Sequence, residues 1–209
     1  MIKERNIYKN GLHYLVNMAL FPVKMIIPQP IISKMPYLET NLAIRTKLVL
    51  GQVKGKLLDI GCGENILVKA YRQKGGEGIG ADVYDWGAVD VLVDDTSKLP
   101  LEDESVDVIT FVACLNHIPN RIEVLKNARR LLRKNGYVLI TNITPFISRI
   151  WHLWAFWDHD QHERGMIEGE VFGFTDVELR EIISDSGYKV VETAGFSWGL
   201  NTLYVLKPL

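Results

Sequence analysis

The residues best suited to chemistry in this chain are aspartates and glycines that stand where apolar runs end. Asp59 lies in the run at 57–60, and Gly61 and Gly63 break that run before helical spacing resumes. Glycines let the backbone approach a ligand closely, and the N-terminus of the following helix offers free N–H groups. The stretch therefore predicts a strand, a tight loop and a helix that together bind a nucleotide.

Two further acidic positions follow later apolar runs. Asp82 ends the run at 78–83, and Asp95 with Thr96 follows the run at 89–93. A carboxylate at the end of the second strand can accept hydrogen bonds from both hydroxyls of a ribose. The ligand is therefore expected to carry a ribose.

The glycine spacing argues against a nicotinamide coenzyme. The dinucleotide fingerprint requires a third glycine at position 66, where this chain has Ile66. An NAD(P)-dependent oxidoreductase is therefore the weaker of the nucleotide-binding alternatives.

His117 is the candidate for acid–base chemistry. It follows the apolar run at 106–113, which is typical of a central parallel strand. The carboxyl ends of such strands form the ligand-binding edge of the sheet. His117 could orient a substrate there or remove a proton from it. It could also be a histidine that only holds a loop by hydrogen bonds.

An aromatic segment interrupts the later part of the chain. Trp151, Trp154 and Trp157 share roughly one face of a predicted helix. Aromatic surfaces suit an apolar pocket or a membrane interface, and core packing of a lid helix is the alternative. A hydrophobic acceptor, contacted by Trp151 and Trp154, is the expectation.

His159 and His162 follow within a run of carboxylates. Their spacing could suit a metal, but no cysteine or third histidine stands beside them to complete a ligand set. We expect no metal and interpret the two histidines as part of a polar loop that faces the acceptor.

Strands and helices alternate from residue 56 onwards, which predicts an α/β fold with a mostly parallel sheet and helices on both faces. The expected strands cover residues 57–60, 78–83, 89–93, 106–113, 137–143, 188–195 and 202–207, and the expected helices include 64–74 and 121–133. Asn120 suits the N-cap of the helix at 121–133, and Gly136 suits its C-terminal end. Thr175 and Glu178 form the pattern of a capping box.

Residues 1–52 are predicted to form an N-terminal helical cap or lid, with the main domain at 53–209 and an acceptor-side insertion at 144–174. Five apolar side chains of the cap fall at helical spacing and are expected to bury one face against the body: Leu12, Leu15, Val16, Ala19 and Leu20.

The charge is uneven. The whole chain has a formal net charge of -1, whereas residues 1–50 hold seven Lys or Arg against two acids, a balance of +5. The overall charge does not indicate a nucleic-acid partner. A basic and apolar N-terminal segment is compatible with peripheral contact with a membrane surface, and a solvated lid is the alternative.

The remaining composition is that of an ordinary globular protein. Two cysteines among 209 residues do not make a disulfide framework, so a reducing, cytoplasmic location is the expectation. The apolar stretch from Leu12 to Ile32 is interrupted by Pro22, Lys24 and Pro28, so it is not predicted to span a bilayer or to be a signal peptide. Nothing in the sequence indicates an oligomeric state.

Taken in order, these motifs carry a family resemblance. The segments are Leu58-Asp-Ile-Gly-Cys-Gly63, Gly80-Ala-Asp82, Asp95-Thr-Ser-Lys-Leu-Pro-Leu101, Ser105-Val-Asp-Val-Ile109, Asn116-His-Ile118, Ala128 to Leu139, and Phe174 to Tyr188. Their order over residues 55–209 resembles class I S-adenosylmethionine-dependent methyltransferases, in particular the branch that acts on small molecules and lipids. The resemblance implies a Rossmann-like, doubly wound sheet of seven strands with an antiparallel last strand.

The resemblance also implies roles for residues. Gly61, Cys62 and Gly63 would line the methionine end of S-adenosylmethionine, with Asp59 supporting its ammonium group. Asp82 would hold the ribose, and Ala113 would run alongside the donor. At the adenine, Val83 would pack on the ring, and Asp95 and the Thr96 backbone would bind the amino group. The family often has a third glycine at position 65, where this chain has Asn65. Asn tolerates left-handed backbone, so the loop is expected to be retained.

The implied activity is in-line transfer of a methyl group from S-adenosylmethionine to a small, hydrophobic or lipid-like acceptor, with S-adenosylhomocysteine as the product. A domain that binds the donor without catalysis is the first alternative, and the NAD(P)-dependent oxidoreductase is the second.

Overall fold

The computed structural model describes residues 2–24, 26–154 and 168–209, with the backbone alone at residues 29 and 150–154. Eight α-helices are described: α1 Gly11–Ala19, α2 Phe21–Lys24, α3 Gln29–Ile32, α4 Asn41–Leu50, α5 Ile66–Gln73, α6 Arg121–Leu131, α7 Pro145–Trp154 and α8 Asp176–Asp185. Short 3-10 helices lie at Glu4–Ile7, Thr96–Lys98 and Leu115–His117.

Seven described strands form one sheet: β1 Leu57–Ile60, β2 Gly78–Asp82, β3 Val91–Leu92, β4 Val106–Val112, β5 Leu132–Ile143, β6 Tyr188–Phe196 and β7 Asn201–Pro208. Their order across the sheet is β3-β2-β1-β4-β5-β7-β6. The pairs among the first five strands are parallel, and β7 is antiparallel to both of its neighbours. The predicted Rossmann-like sheet with an antiparallel last strand is confirmed.

Both faces of the sheet are covered, as the continuous apolar strands require. Leu58 and Ile109 belong to one buried cluster, which includes residues of α6 and α8. Leu57 and Val108, one position earlier on the same strands, belong to the other, which includes residues of α4 and α5. Side chains alternate between the faces of a strand, so one sheet supports two cores.

The predicted C-terminal end of α6 is wrong. The helix ends at Leu131 and β5 begins at Leu132, so Gly136 lies within a strand rather than at a helix end. Pairing of Leu132 with Val106 on the neighbouring strand outweighs the helical pattern. Asn120 is the N-cap residue of α6, as predicted, but its side chain makes no capping hydrogen bond, and its amide nitrogen donates to Asp95 at 3.1 Å.

The capping box at α8 is confirmed. The Thr175 hydroxyl accepts a hydrogen bond from the Glu178 N–H at 3.3 Å, and the Glu178 carboxylate accepts one from the Thr175 N–H at 2.8 Å. This signal needs only four consecutive residues, so the local sequence suffices to predict it.

The expected burial of the apolar face of α1 is wrong. Leu12 and Leu15 are 65% and 62% exposed, whereas His13 and Asn17 are the buried residues of the helix. The Asn17 side chain makes hydrogen bonds to several neighbouring segments, so polar contacts rather than apolar burial orient α1. The division of the chain at residue 52 stays a prediction.

Candidate functional site

Asp59 lies on β1, between β2 and β4, and is almost fully buried. Its carboxylate accepts a hydrogen bond of 2.6 Å from the Thr110 hydroxyl on β4. The pKa of Asp59 is raised to about 7, mainly by burial; the Thr110 hydrogen bond opposes this increase and the nearby Asp82 adds to it. A cationic ligand beside this buried carboxyl group would stabilise its ionised form.

The raised pKa of Asp59 predicts a pH-dependent stability. The folded carboxyl titrates near 7 and the unfolded one near 3.8, so the folded state binds the extra proton between these values. The free energy of unfolding should therefore fall as pH rises from 3.8 to about 7 and be insensitive to this group above 7. Urea unfolding from pH 4 to pH 8 measures the slope.

Asp59→Asn is the informative variant, because it removes the titration and nearly keeps the shape of the side chain. As pH rises, the free energy of unfolding of wild type should fall relative to that of Asp59→Asn. Asp85→Asn removes an exposed carboxylate and serves as the control. A difference that is constant across the pH range would contradict the raised pKa.

The loop from Gly61 to Gly63 is closed on one side and open on the other. A Cβ atom on Gly61, which has φ +71°, would lie 2.7 Å from the Cys114 sulfur, so only glycine fits between β1 and β4. A Cβ atom on Gly63 would meet nothing within 4 Å. This leaves room for a ligand beside the Gly63 backbone.

Asp82 organises the two loops on either side of it. One carboxylate oxygen accepts the Gly63 N–H at 2.8 Å, and the other accepts the N–H groups of Val83 and Tyr84 at 2.7 and 3.1 Å. Val83 and Tyr84 are about half exposed, and the Tyr84 ring packs on Trp86 with 4.7 Å between ring centroids. The result is an acidic group with an apolar, aromatic rim.

Asn65 replaces the third glycine and adopts the left-handed conformation, with φ 60° and ψ 31°. Its buried amide group donates to the Ala88 carbonyl at 2.9 Å and to Asp90 at 3.0 Å. Gly80 makes this possible, because a Cβ atom there would overlap the Asn65 side chain. The loop is retained, as expected, and Asn65 ties it to the segment after β2.

Asp95 caps the 3-10 helix at Thr96–Lys98. Its carboxylate accepts hydrogen bonds from the Ser97 N–H at 2.9 Å and from the Asn120 side chain at 3.1 Å. These contacts, led by the Ser97 N–H, lower the pKa of Asp95 to about 2. Thr96 is buried beside it.

Ala113 ends β4 with a positive φ of 54°, and its N–H donates to the Thr141 hydroxyl at 2.9 Å. The strained residue turns the chain into the 3-10 helix Leu115–His117. Cys114 lies between them, with its thiol donating to the Ile60 carbonyl at 3.0 Å. Burial raises the pKa of the Cys62 and Cys114 thiols, so neither is a ready nucleophile.

His117 is paired with Glu170, a residue 53 positions away. The distance from His117 Nδ1 to Glu170 Oε2 is 3.4 Å, and the Glu170 side chain is fully buried. The pair is held by two hydrogen bonds between Asn116 and Val171, of 3.0 and 3.1 Å. An imidazole oriented by a buried carboxylate is a common arrangement for proton transfer.

Arg45, on α4, is a candidate site residue, which in the sequence contributes only to the count of positive charges. One guanidinium nitrogen donates to Asn201 at 3.1 Å, while Nε is buried without a hydrogen-bond partner in the described part of the chain. Burial lowers the pKa of Arg45 to about 10, and Cys114 is close enough to act on it electrostatically. A partly buried cation whose Nε has no hydrogen-bond partner in the described residues fits an anionic ligand group.

The structure thus brings Asp59, the glycine loop, Asp82 and Ala113 together at the carboxyl ends of β1, β2 and β4. The backbones of Trp151 and Trp154 lie in α7, and His159 and His162 lie outside the described residues. Within the described ranges, no group of three or more His, Cys, Asp or Glu side chains could hold a metal ion.

Comparison with known proteins agrees with this geometry. A family model described as "Methyltransferase domain" matches residues 36–193. A solved S-adenosylmethionine-dependent methyltransferase from Aquifex aeolicus has the same fold, with a TM-score of 0.59 and 16% identity over 88% of this chain and 100% of that one.

Two curated relatives are similar over part of their length. The ubiquinone biosynthesis O-methyltransferase of Aliivibrio fischeri is 25% identical over 123 residues, which is 50% of this chain and 53% of that protein. The ribosomal RNA-processing protein 8 of Caenorhabditis briggsae is 38% identical over 99 residues, which is 46% of this chain and 28% of that protein. The chain spans about half the length of the first, and less of the second.

Proposed function

The chain belongs to the methyltransferase-domain family, among the class I S-adenosylmethionine-dependent enzymes, and from this premise we propose that it methylates a hydroxyl oxygen of a small, apolar acceptor. The observation that carries this proposal is the His117–Glu170 pair in the segment that follows the carboxyl end of β4. The name of the Aliivibrio fischeri relative, an O-methyltransferase of ubiquinone biosynthesis, supports oxygen as the methylated atom and a lipid-like acceptor.

The donor fits the groups that line the site. Asp82 would hold the ribose, the buried Asp59 the ammonium group and the partly buried Arg45 the carboxylate, so each charged end of the donor would meet a group of opposite charge. When bound, the donor supplies an electrophilic methyl group on a sulfonium. We also propose that Val83, Asp95 and Thr96 border the adenine and that Ala113 and the Gly61–Gly63 loop border the methionine part.

His117 would act on the acceptor. With Nδ1 donating to Glu170, Nε2 is the basic nitrogen that removes the proton of an acceptor hydroxyl as the methyl group arrives. The Glu170 carboxylate orients the ring and stabilises the imidazolium that forms. Trp151, Trp154, His159 and His162 remain our proposed acceptor-side residues.

The test is transfer of a labelled methyl group from S-adenosylmethionine to a panel of alkyl-substituted catechols and hydroquinones, with ribosomal RNA as the competing acceptor class. Label in the ether of a phenolic acceptor is the expected result. Tight binding of S-adenosylhomocysteine without any transfer would favour the non-catalytic alternative, and label in RNA would overturn the small acceptor.

A further inference from the structure

The N-terminal helix α1 is oriented with its polar side inward. His13 and Asn17 are 4% and 1% exposed, while Leu12 and Leu15, one helical turn apart, are 65% and 62% exposed. A helix on the surface of a globular protein normally does the reverse. An apolar partner on the outer side of α1 would bury the exposed side chains of Leu12 and Leu15.

The inverted orientation of α1 is held by the hydrogen bonds of the Asn17 side chain. The Asn17 amide donates to the carbonyls of His13 and Tyr37 at 2.9 and 2.6 Å, and its oxygen accepts from Lys24 and from the Glu39 N–H at 3.1 and 2.8 Å. All hydrogen-bonding positions of this buried amide are used. Rotating α1 to bury its leucines would break the three hydrogen bonds that join Asn17 to Tyr37, Lys24 and Glu39, so the apolar side stays outward.

Exposed apolar side chains are also concentrated in the rest of the N-terminal segment. Nine of the 18 large apolar side chains that are exposed in the described part of the chain fall between residues 12 and 42: Leu12, Leu15, Leu20, Val23, Ile26, Ile31, Met35, Tyr37 and Leu42. Exposed apolar residues are ordinarily scattered, and a concentration of them marks an interaction surface. We call these nine residues the N-terminal apolar face.

The exposed charged side chains in the described part of residues 1–50 are all positive. Lys3, Arg5, Lys9 and Lys34 are exposed. The two acids of residues 1–50 are turned toward the protein: Glu4 accepts from the Ser197 N–H at 3.0 Å, and the side chain of Glu39, which pairs with Lys47, is 15% exposed. A partner would therefore meet an apolar surface bordered by cations.

We propose that the N-terminal apolar face docks on an anionic lipid membrane. Apolar side chains would enter the interface between head groups and acyl chains, and the flanking cations would contact anionic head groups. Contact in the plane of the membrane is the mode that fits, since no described helix is long and apolar enough to cross a bilayer. The proposal goes beyond methyl transfer and does not depend on it.

Sedimentation with vesicles tests the proposal without any assay of activity. The chain should pellet with vesicles of equal parts phosphatidylglycerol and phosphatidylcholine and bind pure phosphatidylcholine less tightly. Leu12→Gln combined with Leu15→Gln should lower the partition coefficient by about tenfold or more, because two leucines no longer enter the interface. Val177→Gln, at an exposed valine on α8, is the matched control and should bind as wild type.

A charge-reversal pair provides the second variant. Lys9→Glu with Lys34→Glu should weaken binding to anionic vesicles by about tenfold or more, whereas Lys134→Glu with Lys189→Glu, at exposed lysines of the body, should have a small effect. Wild-type protein that ignores anionic vesicles would overturn the proposal. So would a wild-type dimer that Leu12→Gln with Leu15→Gln dissociates without any change in vesicle binding, because the face would then be a self-interface.

Discussion

Replacing His117 with alanine is expected to lower kcat for methyl transfer to a phenolic acceptor by about 10²–10⁴-fold, the range that loss of a general base produces. Affinity for S-adenosylhomocysteine should be unchanged, because His117 is proposed to act on the acceptor. Single-turnover transfer measures the first quantity, and calorimetric titration of the product measures the second.

A variant at Glu170 tests whether His117 is a base that this carboxylate positions or a histidine that only holds a loop. Glu170→Gln should reduce kcat on the order of ten- to a hundredfold, because a buried carboxylate no longer orients the imidazole or stabilises its charge. Glu168→Gln, at an exposed acid two residues earlier, should leave kcat unchanged. If His117→Ala retains kcat, or loses only donor affinity, His117 is a structural residue and the proposed role is wrong.

Substituting Asp82 with alanine is expected to weaken binding of S-adenosylhomocysteine by about 1–3 kcal/mol, through loss of charge-assisted hydrogen bonds. Asp85→Ala is the control, because Asp85 is an exposed acid whose carboxylate accepts the Gly87 N–H outside the site. Calorimetric titration of both variants provides the comparison.

Asp82 also accepts three backbone N–H groups, so weaker binding alone would not prove contact with the ribose. A double-mutant cycle with a 2′-deoxy analogue of the product separates the two effects. Loss of the hydroxyl should cost affinity in wild type and little in Asp82→Ala. Equal costs in both proteins would remove Asp82 from the ribose and leave it a loop-ordering residue.

Much of the fold and of the donor site could be predicted because their signals are local. The strand, loop and helix around Gly61 follow from a few consecutive residues, as does the capping box at Thr175. The left-handed conformation of Asn65 also follows from its own side chain, which tolerates positive φ. Repetition of strand and helix then restricts the sheet to few topologies.

Contacts between distant segments account for the rest. Asn120 occupies the predicted N-cap position, yet the hydrogen bond that its side chain makes is to Asp95, 25 residues earlier, and not to its own helix. Arg45 has no motif, and its significance comes from burial near Cys114. The role proposed for His117 depends on Glu170, which approaches only when the chain returns to the end of β4.

The sequence by itself determined that an α/β unit with a glycine loop and acids at the strand ends is present, because alternation, glycines and strand-end acids act over a few residues each. Only the tertiary structure decided which face of α1 is buried. Helical periodicity measures where apolar side chains lie on a helix, but the direction of that face depends on the hydrogen bonds of Asn17 with Tyr37, Lys24 and Glu39. A buried amide that would lose its partners on rotation outweighs the leucines, and the apolar face therefore points outward.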